Sequence, residues 1–176
     1  FIKDLAKIEI IRKADYVVFD KTGTLTKGEF GVREAIATAD VPVDDLVAIT
    51  ASIEKHSSHV IGNAVVKYAR ERNIKSREVG SIKNIAGKGM TAVANGKTYA
   101  VGNRALMHDL KVSDEATEKR AHKLADRGET VVYVADESHI VGLIALADAV
   151  KPESKTAVKK LIFLKKLFTK NFLHRN

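Results

Sequence analysis

Residues 19–26 read Phe-Asp-Lys-Thr-Gly-Thr-Leu-Thr, and this stretch carries the strongest information in the chain. The apolar run at 16–19 comes directly before Asp20 and predicts a buried strand that ends at this aspartate. Ligands of open α/β sheets bind at the carboxyl ends of the strands. The hydroxyls and backbone N–H groups of a turn that contains Thr and Gly suit a phosphate. We therefore predict that Asp20 is a covalent nucleophile that forms an aspartyl-phosphate.

The sequence DKTGTLT at 20–26 resembles the phosphorylation signature of P-type ATPases. The resemblance implies that Asp20 accepts the phosphoryl group of ATP and that Lys21, Thr22 and Thr24 contact that group. It also implies a Mg²⁺ site made of the Asp20 carboxylate, the Thr22 carbonyl and a further aspartate downstream. ATP and Mg²⁺ are therefore the expected cofactors.

Thr22 separates this motif from that of the related haloacid-dehalogenase phosphatases. Those enzymes carry a second aspartate two residues after the nucleophile, as a general acid and base, and here that position is a threonine. Without a carboxylate to activate water, the aspartyl-phosphate should hydrolyse slowly. A long-lived intermediate favours a transport cycle over simple hydrolysis, and a standalone phosphatase remains the alternative.

Composition limits the remaining classes. The chain has 176 residues and no cysteine, which excludes disulfides and thiolate metal sites. No stretch approaches the ~20 apolar residues of a membrane span, so we expect a soluble, cytoplasmic chain. Of the net charge of +8, most lies in residues 151–176, whereas residues 1–150 are nearly neutral. A solvated basic terminus explains this distribution better than a nucleic-acid interface does, and we expect no nucleic-acid partner.

The middle of the chain predicts an antiparallel α+β domain. The pattern at 30–37 indicates a short strand, and that at 46–53, preceded by Pro42 and Asp44, indicates a helix. Ser57 or Ser58 is the predicted N-cap of a second helix. Extended segments and two hairpins should follow, at 79–86, at 90–101 around Asn95-Gly96, and at 130–147. Between the hairpins we predict a helix that begins at Ser113 and stops at Gly128.

Several short motifs in this domain resemble the nucleotide-binding domain of the heavy-metal-transporting (type IB) P-type ATPases. The segment 54–60 reads EKHSSHV and matches the family pattern at Glu54, Ser57 and His59, while Val60 replaces a proline. The resemblance implies that His59 stacks on adenine. It further implies a nucleotide pocket lined by Glu54, His59, Gly87, Gly89, Gly102 and Asn103. Taken alone, the G-x-G of 87–89 would suggest a dinucleotide fingerprint, but a hairpin follows it and not the required helix.

The predicted organisation is a nucleotide-binding domain inserted in a partial α/β phosphorylation domain of the haloacid-dehalogenase type. Residues 1–29 give the first part of the phosphorylation domain and 30–146 the antiparallel nucleotide-binding domain with flanking helices. Residues 147–161 return to the phosphorylation domain and resemble the family's D-x-x-K/R-P segment, whereas 162–176 are expected to be a truncated or non-native tail.

The resemblance implies an ATP-binding fragment of a heavy-metal cation pump, in which phosphorylation of Asp20 drives ion export. It would be the cytoplasmic part of an integral membrane protein, and its partners would be ATP and the rest of the pump. The family's later TGD and GDGxND motifs do not occur in this sequence, so we expect little or no turnover of ATP by this chain itself. A non-catalytic nucleotide-binding module is a further alternative.

Overall fold

The computed structural model describes residues 16–38 and 40–172, with side chains described as far as residue 163. The strands in this part of the chain are β1 (Thr26–Ala37), β2 (Gly80–Ile85), β3 (Gly89–Ala94), β4 (Lys97–Gly102), β5 (Thr130–Ala135) and β6 (Ile140–Val150). The helices are α1 (Val43–Glu54), α2 (Val60–Glu71), α3 (Arg104–Asp109), α4 (Glu115–Asp126) and α5 (Pro152–Phe172).

The six strands form one sheet in the order β1-β6-β5-β4-β3-β2. The four pairs from β2–β3 to β5–β6 are antiparallel. Asn95 and Gly96 both have positive φ, as a two-residue type I′ hairpin turn requires. This turn pairs Ala94 with Lys97 and, at the other end of the hairpin, Gly89 with Gly102.

Helices cover both faces of the sheet. Alternate residues of β5 enter different apolar clusters: Val132 and Val134 join the cluster that contains Leu46 and Val65 of α1 and α2. Tyr133 and its neighbours on the same face join a second cluster with residues of α3 and α4. Because successive side chains of a strand point to opposite faces, α1 and α2 pack on one face and α3 and α4 on the other.

The predicted α+β fold is confirmed, with several local corrections. The strand expected at 16–19 is wrong, because these residues form no strand and Tyr16, Val17 and Val18 are largely exposed. A strand needs a neighbour for its backbone N–H and C=O groups, and the sheet of the described residues contains none for this run. The strand expected at 30–37 begins earlier, at Thr26.

Two predicted helix caps are also wrong by one or two residues. The N-cap of α2 is His59 and not Ser57 or Ser58, and the N-cap of α4 is Asp114 and not Ser113. Asp114 accepts the backbone N–H of Thr117 at 2.8 Å, as an acidic cap should. The short helix α3 was not predicted, because six residues are too few to show a helical period.

The described residues divide into two compact units. One consists of residues 29–149, and the other of residues up to 28 together with those from 150 onwards. Residues beyond 161 continue α5 as far as Phe172, and 173–176 lie outside the described residues. Across the described part of the chain, none of the helices has both the length and the apolar character needed to cross a membrane.

Candidate nucleotide cleft and the Asp20 turn

The unit of residues 29–149 contains a cleft of about 620 Å³. Such a volume lies within the range of small-molecule sites. Its walls come from the end of α1, the start of α2, the β2–β3 turn, the start of α3 and the start of β5. The structure brings together there all six residues that the sequence predicted for a nucleotide pocket: Glu54, His59, Gly87, Gly89, Gly102 and Asn103.

Glu54, Ser57 and His59 form a short hydrogen-bonded chain where α1 gives way to α2. The Ser57 hydroxyl bonds the Glu54 carboxylate and accepts the backbone N–H of His59 at 3.1 Å. The Nδ1 atom of His59 accepts the backbone N–H of Ile61 at 3.3 Å, so the ring caps α2. Acceptance at Nδ1 puts the proton of a neutral ring on Nε2. His59 is exposed, which leaves its ring accessible for stacking.

Burial raises the pKa of the Glu54 carboxyl, and the hydrogen bond from Ser57 and the nearby His59 oppose this rise. A raised pKa in the folded state means that ionisation of Glu54 opposes folding, so its contribution to stability is lost as pH rises through that pKa. Gly62 faces this carboxyl closely, since a Cβ atom at position 62 would collide with the Glu54 carboxylate and lie 3.2 Å from Cβ of Ser57. The absence of a side chain at Gly62 thus leaves room for Glu54.

Three more glycines line the cleft, and glycine is favoured at these positions for different structural reasons. Gly87 has φ +71° and open space where a Cβ atom would lie, so its turn conformation is what favours glycine. Gly89 and Gly102 face each other across the β3–β4 hairpin. A Cβ atom on Gly102 would lie 2.7 Å from Cδ2 of Leu106 and 3.0 Å from Cα of Gly89, and it would also collide with the carbonyl of Lys88. The absence of side chains at these two glycines therefore allows β3 and β4 to lie close together, independently of any ligand.

Asn103 ties the β2–β3 turn to α3. Its side-chain nitrogen donates to the Gly87 carbonyl at 2.8 Å, and its side-chain oxygen accepts the N–H of Leu106 at 3.2 Å as the N-cap of α3. Its backbone N–H donates to the Lys88 carbonyl at 2.8 Å. Asn103 thus shapes the wall of the cleft, a role that the sequence did not reveal.

The sequence also missed Lys88, which lines the cleft and pairs with Asp109 at the end of α3. The signal was available: the two-residue turn at Asn95-Gly96 fixes the hairpin register, and counting outward from it sets Lys88 opposite Asn103. No comparable signal indicated Asp109, because the short helix that carries it was not predicted.

The Asp20 turn, residues 20–26, lies in the other unit and is closed by Thr26. The Thr26 N–H and hydroxyl both donate to the Lys21 carbonyl, the hydroxyl at 3.0 Å, and the hydroxyl also accepts the Gly23 N–H at 3.3 Å. Gly23 has φ +79°, a conformation that other residues rarely adopt. The turn thus depends on the glycine and the last threonine of the motif.

Lys151 holds the same turn from the start of α5. Its ammonium donates to the Gly23 carbonyl at 2.6 Å, and its backbone N–H donates to the Leu25 carbonyl at 3.0 Å. The D-x-x-K-P resemblance at 148–152 therefore corresponds to a contact within the unit that carries Asp20. The sequence did not predict Lys151 as a residue of this site.

The predicted chemical residues of the turn, Asp20, Lys21, Thr22 and Thr24, are all exposed. The Asp20 carboxylate and the Thr22 carbonyl are hard oxygen donors of the kind that Mg²⁺ takes. These two oxygen atoms alone cannot complete the coordination of a Mg²⁺ ion. The described residues contain no cluster of three or more His, Cys, Asp or Glu side chains that could hold a metal. The donor chemistry fits Mg²⁺, but further ligands must come from ATP, water or other protein groups.

Comparison with known proteins defines the class. The model of the haloacid dehalogenase-like hydrolases matches residues 14–167. Since this match takes in most of the chain, the chain belongs to the haloacid dehalogenase-like hydrolases.

Within that class, the chain is homologous to heavy-metal-transporting P-type ATPases. The copper-exporting P-type ATPase B of Archaeoglobus fulgidus is 37% identical over 160 residues, which make up 91% of this chain and 23% of the relative. A zinc-transporting PIB-type ATPase structure in the E2.Pi state matches with a TM-score of 0.73 at 27% identity, over 83% of this chain and 23% of that one.

The catalytic domain of the CPx-ATPase CopB-B, described as changing conformation upon nucleotide binding, matches with a TM-score of 0.64 at 28% identity. That match takes in 91% of this chain and 54% of the other. The chain spans about a quarter or less of the length of the curated relatives it matches.

Proposed function

We propose that this chain is the ATP-binding part of a heavy-metal cation-transporting P-type ATPase, a cytoplasmic region of an integral membrane pump. In this proposal, ATP held in the cleft phosphorylates Asp20, and turnover of the phosphoenzyme drives ion export. The observation that carries it is the convergence of six motif residues from three separate segments on one cleft, in a chain that also has a complete DKTGTLT turn. The alternative of a standalone phosphatase is not favoured, because the relatives are pumps and Thr22 stands where a general acid would be.

We assign adenine recognition to the Glu54 and His59 wall of the cleft. The ring of His59 presents a flat face for stacking, while its Nδ1 atom accepts the backbone N–H of Ile61. Ser57 links the Glu54 carboxylate to the backbone N–H of His59, so these two residues are held close together before the nucleotide binds. Gly87, Gly89, Gly102 and Asn103 line the cleft from the β2–β3 turn and the connection between β4 and α3, and the three glycines add no side chain to it.

In the phosphorylation step, a carboxylate oxygen of Asp20 attacks the γ-phosphorus of ATP. A new bond forms between that oxygen and phosphorus, the bond from the γ-phosphorus to the β–γ bridging oxygen breaks, and ADP leaves with the electron pair. Lys21 and Thr24 would contact the transferred group, and Asp20 with the Thr22 carbonyl would supply two oxygen ligands to Mg²⁺. When bound, Mg²⁺ would neutralise charge on the phosphate oxygens.

Nucleotide binding is tested by titrating ATP into the 176-residue chain in a calorimeter. We expect saturable binding with one site. Absence of heat and of competition with a fluorescent ATP analogue would overturn the proposal for the cleft.

Phosphorylation is tested in the full-length parent pump with γ-labelled ATP and an acid quench. We expect an acid-stable phosphoenzyme that hydroxylamine cleaves, since an acyl phosphate reacts in this way, and Asp20→Asn should abolish it. A phosphoenzyme that persists in Asp20→Asn would refute the assignment of the nucleophile. The present chain should incorporate little label, because it lacks the TGD and GDGxND motifs.

A further inference from the structure

The charged side chains that line the cleft lie on two different walls. Among the described residues that line the cleft, the acidic side chain is that of Glu54, at the end of α1. Lys88 is the one lysine or arginine among the described residues that line the cleft, and it lies in the turn between β2 and β3. A nucleoside triphosphate has an uncharged base at one end and several negative charges at the other. Coulomb interactions therefore favour the base near Glu54 and the phosphates near Lys88.

We propose that Lys88 contacts the phosphates of the bound nucleotide and that Asp109 holds the Lys88 ammonium at the rim of the cleft until the phosphates replace it. The inference rests on the proposed function and assigns a residue to one end of the ligand. It makes Lys88 a binding residue and Asp109 a positioning residue that also competes with the ligand.

The backbone of Lys88 is fixed from both sides. Its N–H donates to the Ile85 carbonyl at 2.9 Å, and its carbonyl accepts the N–H of Asn103 at 2.8 Å. The side chain therefore extends from a defined point, and its ammonium lies 2.5 Å from a carboxylate oxygen of Asp109. Asp109 does not itself line the cleft.

The Lys88–Asp109 pair is weak enough to exchange. Both side chains are more than a third exposed, and exposed ion pairs contribute little to stability because water screens them. A triphosphate offers more negative charge than one carboxylate, so transfer of the ammonium from Asp109 to phosphate is favourable. The flanking Gly87 and Gly89 have no side chains that could stand between Lys88 and a ligand.

The experiment compares ATP with adenosine on the full 176-residue chain at constant ionic strength. Affinity for ATP is measured by calorimetry, and that for adenosine by competition. The variants are Lys88→Gln, Lys88→Arg and Asp109→Asn. Lys119→Gln is the matched control, because Lys119 also belongs to an exposed ion pair, with Glu115, but does not line the cleft.

We expect Lys88→Gln to bind ATP about fivefold more weakly and adenosine unchanged, whereas Lys88→Arg retains most of the ATP affinity. Asp109→Asn should bind ATP about twofold more tightly, since it frees the ammonium and removes a negative charge near the phosphates. Lys119→Gln should bind both ligands as the unmutated chain does.

Equal effects of Lys88→Gln on ATP and adenosine, or an effect no larger than that of Lys119→Gln, would overturn the inference but leave the proposed function intact. An Asp109→Asn variant with unchanged ATP affinity would overturn the role given to Asp109. Failure of the unmutated chain to bind either ligand would remove the proposed function and this inference with it.

Discussion

In the cleft, nearly every candidate residue is held by a neighbour, whereas in the Asp20 turn the candidate residues are exposed and the contacts come from other positions. His59 caps α2, Asn103 forms hydrogen bonds through both its side chain and its backbone, and both residues still line the cleft. In the Asp20 turn, Thr26 and Lys151 supply the hydrogen bonds, while Asp20 and Thr24 remain exposed. The candidate residues of the cleft are thus held in place by their neighbours, whereas those of the turn are held mainly through the backbone.

This contrast predicts different effects for mutations in the two regions. Substitutions in the cleft should change stability and affinity together, because the same side chains serve both. Substitutions that loosen the turn should leave the free energy of unfolding almost unchanged, because few buried groups depend on it. The predictions below test this division, from the largest expected effect to the smallest.

Gly102→Ala should give the largest loss of stability. Its Cβ atom would overlap Leu106 and the backbone of the neighbouring strand, so we expect the free energy of unfolding to fall by about 3 kcal/mol. Urea denaturation measures this change. Gly80→Ala in β2 is the matched control, because a Cβ atom there meets nothing within 4 Å. If Gly102→Ala were as stable as the control and lost only ATP binding, Gly102 would serve the ligand and not the fold.

Substitutions of His59 should separate capping from stacking. His59→Ala should lower stability by about 1 kcal/mol through loss of the cap, and should weaken ATP binding several-fold through loss of about 1 kcal/mol of stacking. His59→Asn keeps a good capping side chain, so it should retain stability and lose only affinity. Thermal melts and calorimetry measure the two effects. Unchanged ATP binding in His59→Asn would show that the ring has no part in recognition, and His56→Ala controls for another histidine that lines the cleft.

Lys151→Met should loosen the Asp20 turn without affecting the cleft. The variant loses the ammonium bond to the Gly23 carbonyl but keeps the backbone bond to Leu25, so the free energy of local opening of the turn should fall by about 1 kcal/mol at most. Amides at 23–26 should exchange up to about fivefold faster in hydrogen-exchange NMR. Exchange of the β3 and β4 amides should not change. The control Lys155→Met, which replaces an exposed lysine of α5, should change the exchange of neither group of amides. Faster exchange throughout the chain would contradict the local role.

Val60→Pro should give a small gain in stability. Val60 is the first residue of α2, where proline suits the helix, and His59 already has φ −77° and ψ 141°, which the residue before a proline prefers. The Val60 side chain is 54% exposed, so little packing is lost. We expect the free energy of unfolding to rise by about 0.5 kcal/mol, with ATP affinity equal or slightly higher. A lower melting temperature would mean that the cap at His59 cannot accept the proline ring.

The sequence predicted residues that meet at one cleft, but it did not predict the contacts that hold them there. The motifs at 54–59 and 87–89 and the pair Gly102-Asn103 were recognisable by their order along the chain, and the structure brings them to one cleft. The cap at His59 was missed because Ser57 and Ser58 are stronger capping residues by type, and the hydrogen bonds of the α1–α2 connection decide between them. By residue type the serines are the better N-caps, but the hydrogen bonds of the folded chain make His59 the N-cap.

The strand expected at 16–19 failed for a different reason. Apolar residues with high β propensity indicate that a segment will pair when a neighbouring strand is present, and they do not supply that neighbour. The hairpins succeeded because each provides its own partner across a short turn. Sequence patterns are therefore most reliable where the partner is close along the chain.

The exposed run at Val17 and Val18 has a practical consequence for work with this chain. These two side chains are 60% and 93% exposed, and they are β-branched residues followed directly by Phe19. A short β-prone segment outside the sheet is a template for pairing between molecules. Concentrated samples should therefore self-associate through this segment, and a lysine at position 18 should keep them monomeric.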